Sequence, residues 1–271
     1  MIRAAILGVG LQGPGMAGWA AGRAVLTGAR PWEDTEVALP PPARLAPTER
    51  RRAGAAVRVA LAVAEEASAA SGLGAGTIPG VFATANGDGA VLGALLETLA
   101  SATPQVSPTQ FHNSVHNAGA GYWTIATSSR VPVTCLSCFD WTFAAGLLKA
   151  AAGVAVTAAP VLLCVYDLPM PAPLAEVRAT RSCFGVGLVL APPGTEGAVA
   201  ELAVGYRAAP PEAGAEVPRL PGLAALAARN PAARALRLLE ALARAEADQG
   251  ALAWDDGRLD WELRPCLAIP R

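Results

Sequence analysis

Val133-Thr134-Cys135-Leu136-Ser137-Cys138-Phe139-Asp140-Trp141-Thr142-Phe143-Ala144-Ala145-Gly146-Leu147-Leu148 decides how the rest of the chain is read. Val131 to Leu136 predicts a short apolar strand, and Asp140 to Ala152 an apolar helix. Cys138 then falls in the turn between them, with a helix N-terminus behind it that favours a thiolate. Asp140, in the first turn, opposes that effect by charge repulsion. Cys135 and Cys138 have C-x-x-C spacing, but strand alternation aims them at different faces and no second pair follows, so no metal is expected there.

Outward from this stretch the same alternation recurs. Val81-Phe82-Ala83-Thr84, Val161 to Val165, Gly185 to Leu190 and Val199 to Tyr206 are apolar runs of strand length. Between them, helical spacing appears at Val57, Leu61 and Ala64 in a helix opened by Thr48-Glu49-Arg50-Arg51, and again over about Ala90 to Ala100. Nearly continuous apolar strands interleaved with helices predict an α/β layered sheet with covered faces. The N-terminal strand, Ala4 to Val9, is expected to stop at Gly10-Leu11-Gln12-Gly13-Pro14-Gly15. That loop lacks the third-glycine spacing and the acidic partner of a dinucleotide fingerprint, so no cofactor is expected. Residues 31–48 form a proline-rich surface loop, and Asn86-Gly87-Asp88-Gly89 a tight turn lacking the spaced carboxylates of a calcium loop. After a Pro/Ala/Gly-rich shift at 208–222, Asn230-Pro231 caps an amphipathic helix bearing Leu236, Leu239 and Leu242. Leu252 to Trp261 reads as a hairpin turning at Asp256-Gly257.

The 271 residues are 53% hydrophobic and 16% charged, which excludes disorder and supplies core for one large domain. A net charge of −1 gives no electrostatic footprint for nucleic acid or an anionic membrane. Mean hydropathy is +0.37 and owes much to alanine. No stretch offers roughly 18 uncharged apolar residues free of Gly and Pro, so no membrane span is expected. Gly8, Gly10, Gly13 and Pro14 likewise interrupt an N-terminus that otherwise resembles a signal peptide. Five cysteines are too few and too odd for a disulfide framework, and point to free thiols in the cytoplasm.

The two histidines, His112 and His116, would share one face of a helix, but no carboxylate lies at matching spacing to complete a metal site. Asp167, at the end of the strand from Val161, would need one of those imidazoles beside it to act catalytically, and otherwise ends the strand in a turn with Pro169 and Pro171.

Three segments, in order, resemble the β-ketoacyl synthases of the thiolase superfamily. They are Ile6-Leu7-Gly8-Val9-Gly10 with Pro14-Gly15, then Ser107-Pro108 through Asn117-Ala118-Gly119-Ala120-Gly121, then Val133 to Cys138 with Ala144-Ala145-Gly146. In the third, a cysteine stands eight residues before a helical glycine, as in the family's nucleophile elbow. Phe184 to Leu190 resembles its closing strands. His112-Asn113-Ser114-Val115-His116-Asn117-Ala118 and Phe143-Ala144-Ala145-Gly146-Leu147-Leu148 are similar to one branch, the short ketosynthase-like chain length factors of aryl polyene gene clusters.

The resemblance implies an α/β, thiolase-like layered fold, αβαβα in its parent. Residues 1–208 would form a complete N-terminal half, and 209–271 a strongly reduced C-terminal remnant of linker, helix and hairpin. In the family, the two histidines that polarise the thioester and assist decarboxylation come from the second half. The 63 residues here are too few for one, and no histidine follows Cys138. The implied function is therefore a non-catalytic subunit that pairs with a full-length ketosynthase and shapes its acyl tunnel, an acyl carrier protein delivering substrate. His112, His116, Asn117, Tyr122, Trp123, Phe139, Asp140 and Trp141 are the candidate interface and tunnel residues, Cys138 a degenerate nucleophile. The rival readings are a stand-alone acyltransferase or thioesterase using Cys138 with His112 or His116, and a homodimeric scaffold without acyl substrate.

Overall fold

The computed structural model describes residues 1–206, 218–245, 252–255 and 259–265, the last two segments as backbone. One mixed sheet organises the molecule. Its long central strand, β1 (Ile2–Gly13), turns back through the two-residue β2 (Met16–Ala17) into helix α1 (Trp19–Leu26). The proline-rich segment follows as an irregular strap, then α2 (Pro47–Arg52), α3 (Ala55–Ala70) and β3 (Gly80–Ala83). Next come α4 (Gly89–Ala100), α5 (Pro108–Ser114), α6 (Ala118–Thr127), β4 (Val133–Leu136) and α7 (Thr142–Thr157). The chain continues through β5 (Val161–Asp167), α8 (Leu174–Val177), β6 (Phe184–Ala191) and β7 (Ala200–Tyr206). Helices α9 (Pro221–Arg229) and α10 (Leu236–Ala245) and the hairpin of β8 (Leu252–Asp255) with β9 (Leu259–Pro265) complete it.

The strand order is β4-β3-β5-β6-β1-β7-β9-β8, with β2 paired to the end of β1. β3 runs parallel to both β4 and β5, and the other pairs are antiparallel. Two cores follow from strand alternation. Ala4, Ile6, Val9 and Leu11 of β1, with Val186, Leu188 and Leu190 of β6, face α1, α7, α9 and α10. Leu7, Phe82, Leu162, Cys164, Tyr166 and Val189 face α3 and α6. Helices thus cover both faces of one sheet. The C-terminal segment extends that sheet, since β9 pairs with β7. The predicted turn at Asp256-Gly257 and most of the 208–222 shift lie outside the described residues.

Three sequence expectations need correction. β1 does not stop at Val9; it continues through Gly10 to Gly13, paired with β6. A Cβ at Gly10 of β1, or at its partner Gly187 of β6, would collide with the carbonyl of Val63 in α3. The glycines mark a helix backbone lying against the strands, not a loop. The left-handed residues come later, at Gly15 and Gly18. The helix opened by Thr48-Glu49 breaks at Ala53-Gly54, where the backbone is extended, before α3 buries Val57, Leu61 and Ala64. His112 and His116 do not share a helix face, because α5 ends at Ser114 and Val115 is extended.

Asn230 performs the capping expected of it: its Oδ1 accepts from the N–H groups of Ala232 and Ala233 at 3.0 and 3.2 Å. The helical run Phe139–Thr157 is long and apolar enough to cross a membrane by length and composition. It carries Gly146, Gly153 and Lys149 and packs Phe143, Leu147, Ala150, Ala151 and Val154 onto the sheet, the place of a core helix.

Candidate functional site

β4 delivers the chain to Cys138 at the rim of the sheet. The elbow that follows is fixed by Thr142, which is fully buried: its Oγ1 accepts from the Cys138 N–H at 3.0 Å and donates to the Phe139 carbonyl at 2.7 Å. Phe139 adopts a φ of 51°, the left-handed region. Among the described cysteines, Cys138 is the exposed one. Burial pushes the thiols of Cys135 and Cys164 up, and that of Cys183 up to about 12, which keeps these three protonated.

The carboxylate of Asp140, expected to repel a thiolate, is instead taken by Arg178 at 2.6 Å. The same guanidinium lies 3.8 Å over the Phe139 ring and donates through Nε to Asn86 Oδ1 at 2.9 Å. Asn86 in turn donates to Thr180 Oγ1 at 2.9 Å. Trp141 carries Arg234 over its ring at 4.8 Å. Arg178 and Asn86 were invisible as partners of the elbow: they come from loops after β5 and β3, with no local signal linking them to it.

Asp167 closes β5 as a fully buried carboxyl. Its Oδ1 accepts from Thr84 Oγ1 at 3.0 Å and from the Ala85 and Asn86 N–H groups at 2.9 and 3.1 Å, while Oδ2 has no partner. Burial outweighs these donors and the nearby Arg178 charge, and pushes the carboxyl up to about 6. No imidazole serves it. His116 Nε2 is held 3.1 Å from the Thr84 carbonyl and, facing an acceptor, must donate there. His112 packs edge-on against Tyr122, ring centroids 5.6 Å apart. Neither histidine is hydrogen-bonded to Cys138, so neither imidazole is placed as the base of a nucleophile–base pair.

Of the remaining candidates, Asn117 is exposed at the start of α6. Tyr122 and Trp123 do not reach the surface: both are buried in the chain's own core, Trp123 tilted against Phe82 at 6.4 Å. Burial also raises the Tyr122 hydroxyl, which has no hydrogen-bond partner.

A single sheet covered on both faces, whose edge strand leads into a cysteine-bearing elbow at a helix start, defines an α/β protein with the layered architecture expected from the resemblance to ketosynthases. More particularly, the chain belongs to the β-ketoacyl synthase N-terminal domain family, whose pattern matches residues 25–262. No curated protein matches the sequence. Three solved structures share the fold over nearly the whole chain. One is a ketosynthase (ApeO) in complex with its chain length factor (ApeC) from Xenorhabdus doucetiae, 19% identical, TM-score 0.69, covering 97% of this chain and 100% of that one. Another is the ishigamide ketosynthase/chain length factor, 17% identical, TM-score 0.72, covering 98% and 99%. The third, AntDE:AntF, is a type II acyl-carrier protein in complex with its ketosynthase bound to the hexaketide, 11% identical, TM-score 0.68, covering 98% and 99%.

Proposed function

We propose that this chain is the non-catalytic chain-length-factor subunit of a β-ketoacyl synthase pair. The observation that carries the reading is the elbow: the fold of a nucleophile site is retained, but its thiol has no imidazole beside it. Decarboxylative condensation needs a thiolate plus groups that polarise the thioester carbonyl and the malonyl unit. A partner ketosynthase supplies all of these, and an acyl carrier protein delivers the substrate. In each of the three complexes the shared fold spans at least 97% of this chain and 99% of the matched one, which supports a likeness to a subunit of such a complex.

β4 supports the pairing. It ends the sheet, is half-buried where β5 is fully buried, and leaves one row of backbone groups unpaired among the described residues. Such an edge is a template for strand addition. Residues 1–208 serve as the ketosynthase-like half and 209–271 as its reduced remnant, which adds its strands to the same sheet through the pairing of β9 with β7.

Two measurements test the reading together. Co-expressed with its ketosynthase, the chain elutes as a heterodimer in size-exclusion chromatography, and alone it takes no label from an acyl thioester. Stable acylation at Cys138, abolished in Cys138→Ser, overturns it in favour of a stand-alone acyltransferase. Failure to co-elute overturns it in favour of a homodimeric scaffold.

A further inference from the structure

A small cavity of about 150 Å³ lies where the loop after β5 meets the C-terminal helices. Asp140, Arg178 and Thr180 line it from one side, and Arg229, Asn230 and Arg234, at the end of α9 and the turn into α10, from the other. Three guanidiniums thus share one space with a single carboxylate, an excess of two positive charges. Pockets for drug-sized ligands begin at about 300 Å³, so this one takes one compact group.

Its donors are left open in a specific way. Arg178 gives Nη1 to Asp140 and Nε to Asn86, while Nη2 is buried with no partner. A buried charged donor without an acceptor is costly and points to a missing one. Arg234 rests on the Trp141 ring at 4.8 Å and Arg229 is exposed, and neither has a carboxylate partner among the described residues. Thr180 accepts from Asn86 and keeps its hydroxyl proton to donate. Asn230 is fully committed: its Oδ1 caps Ala232 and Ala233, and its amide donates to the carbonyls of Asp167 and Ser182. The free binding groups are therefore arginine side chains, not the helix start. Like charges brought together across this seam repel unless a counter-charge stands between them.

We infer that this cavity binds one phosphate group, as the free ion or as the end of a phosphate monoester. The size admits one tetrahedral anion, the charge excess matches a dianion, and guanidiniums present paired donors to its oxygens. Bound there, the anion ties α9 and α10 to the loops after β4 and β5. The site needs neither the Cys138 thiol nor a partner subunit, so it stands apart from the subunit reading.

The test is calorimetric titration of the full chain with orthophosphate and, separately, with glycerol 3-phosphate, sodium chloride holding ionic strength constant. Orthophosphate binds at one saturable site and raises the unfolding midpoint. If glycerol 3-phosphate binds there too, the cavity holds the end of a monoester; if it does not, the cavity holds the free ion. Arg229→Gln and Arg234→Gln each weaken binding at least tenfold, whereas Arg51→Gln, an exposed arginine on α2 outside the cavity, leaves it unchanged. Arg229 is exposed, so its variant folds as the parent does and keeps the test decisive. Absence of saturable binding overturns the site. So does binding that Arg229→Gln and Arg234→Gln leave intact, or that Arg51→Gln weakens equally, which would mark attraction to positive charge in general.

Discussion

The buried carboxyl of Asp167 ties the residue-scale features together, because the turn it holds carries Asn86 and, through Asn86, the arginine over Phe139. Its position at the end of β5 and the turn beyond it were legible in the sequence; its partners were not, since they lie some 80 residues away in the turn that follows the neighbouring strand β3. The raised pKa makes a stability prediction with a definite sign. Unfolded, the group ionises near its ordinary value of 3.8; folded, near 6. Between those values the native state binds the extra proton, so the contribution of this residue is most favourable below about pH 4 and is lost as pH rises through 6, by roughly 3 kcal/mol in total. Asp167→Asn keeps an acceptor for Thr84, Ala85 and Asn86 and removes the titration. Measured by denaturant unfolding, the stability of the Asn variant relative to wild type should climb by about 2–3 kcal/mol from pH 4 to pH 8. A difference that stays flat with pH would show that the carboxyl ionises in the fold as freely as in water.

At the scale of elements, strands and helices could be read from apolar periodicity, and most were, including the Asn230 cap and the hairpin pairing of β8 with β9. The failures share one cause: contacts from distant segments. Gly8 and Gly10 on β1, and Gly185 and Gly187 on β6, recur at a period of two, and in each strand that places them on one face, against α3. Read one at a time they signal a loop; read as a spaced pair on two strands they signal a helix backbone pressed on the sheet. The helix assumed to unite His112 and His116 fails likewise, because Asn113 is drawn away to the Arg52 carbonyl at 2.8 Å as α5 ends. The close approach is testable. Gly187→Ala forces a Cβ against the Val63 carbonyl and should cost about 1–3 kcal/mol in denaturant unfolding. Gly121→Ala, in α6 with open space at its Cβ, should instead stabilise by about 0.5–1 kcal/mol. Equal effects at both positions would mean that helix and sheet have slack between them, and the reason for the β1 glycines would have to be sought elsewhere.

The whole molecule is asymmetric in a way that composition only hinted at. Its helices and sheet enclose two cores, but α4 and α5, which pack on each other, expose Leu92, Leu96, Leu99, Phe111 and Val115. Leu92, Leu96 and Leu99 recur at helical spacing, so α4 presents an apolar stripe outward as a core helix would inward. A patch of this kind is an association surface. With the β4 edge, which is unpaired among the described residues, it offers both elements of a stable interface, backbone pairing and apolar area, and such an interface typically removes about 1,600 Å² from water. Phe111 is 64% exposed and Val115, in extended backbone just past the end of α5, is exposed too, so charges placed there should leave the chain's own core untouched. Phe111→Arg combined with Val115→Arg should therefore leave the unfolding midpoint of the isolated chain unchanged while cutting co-elution with the ketosynthase at least tenfold, the equivalent of about 1.4 kcal/mol of binding. A double variant that binds as well as the parent would move the interface away from this face and leave the β4 edge to hold the partner alone. Four residues of strand are too short to do that stably, which is why the proposed pairing calls on the apolar face as its second contact.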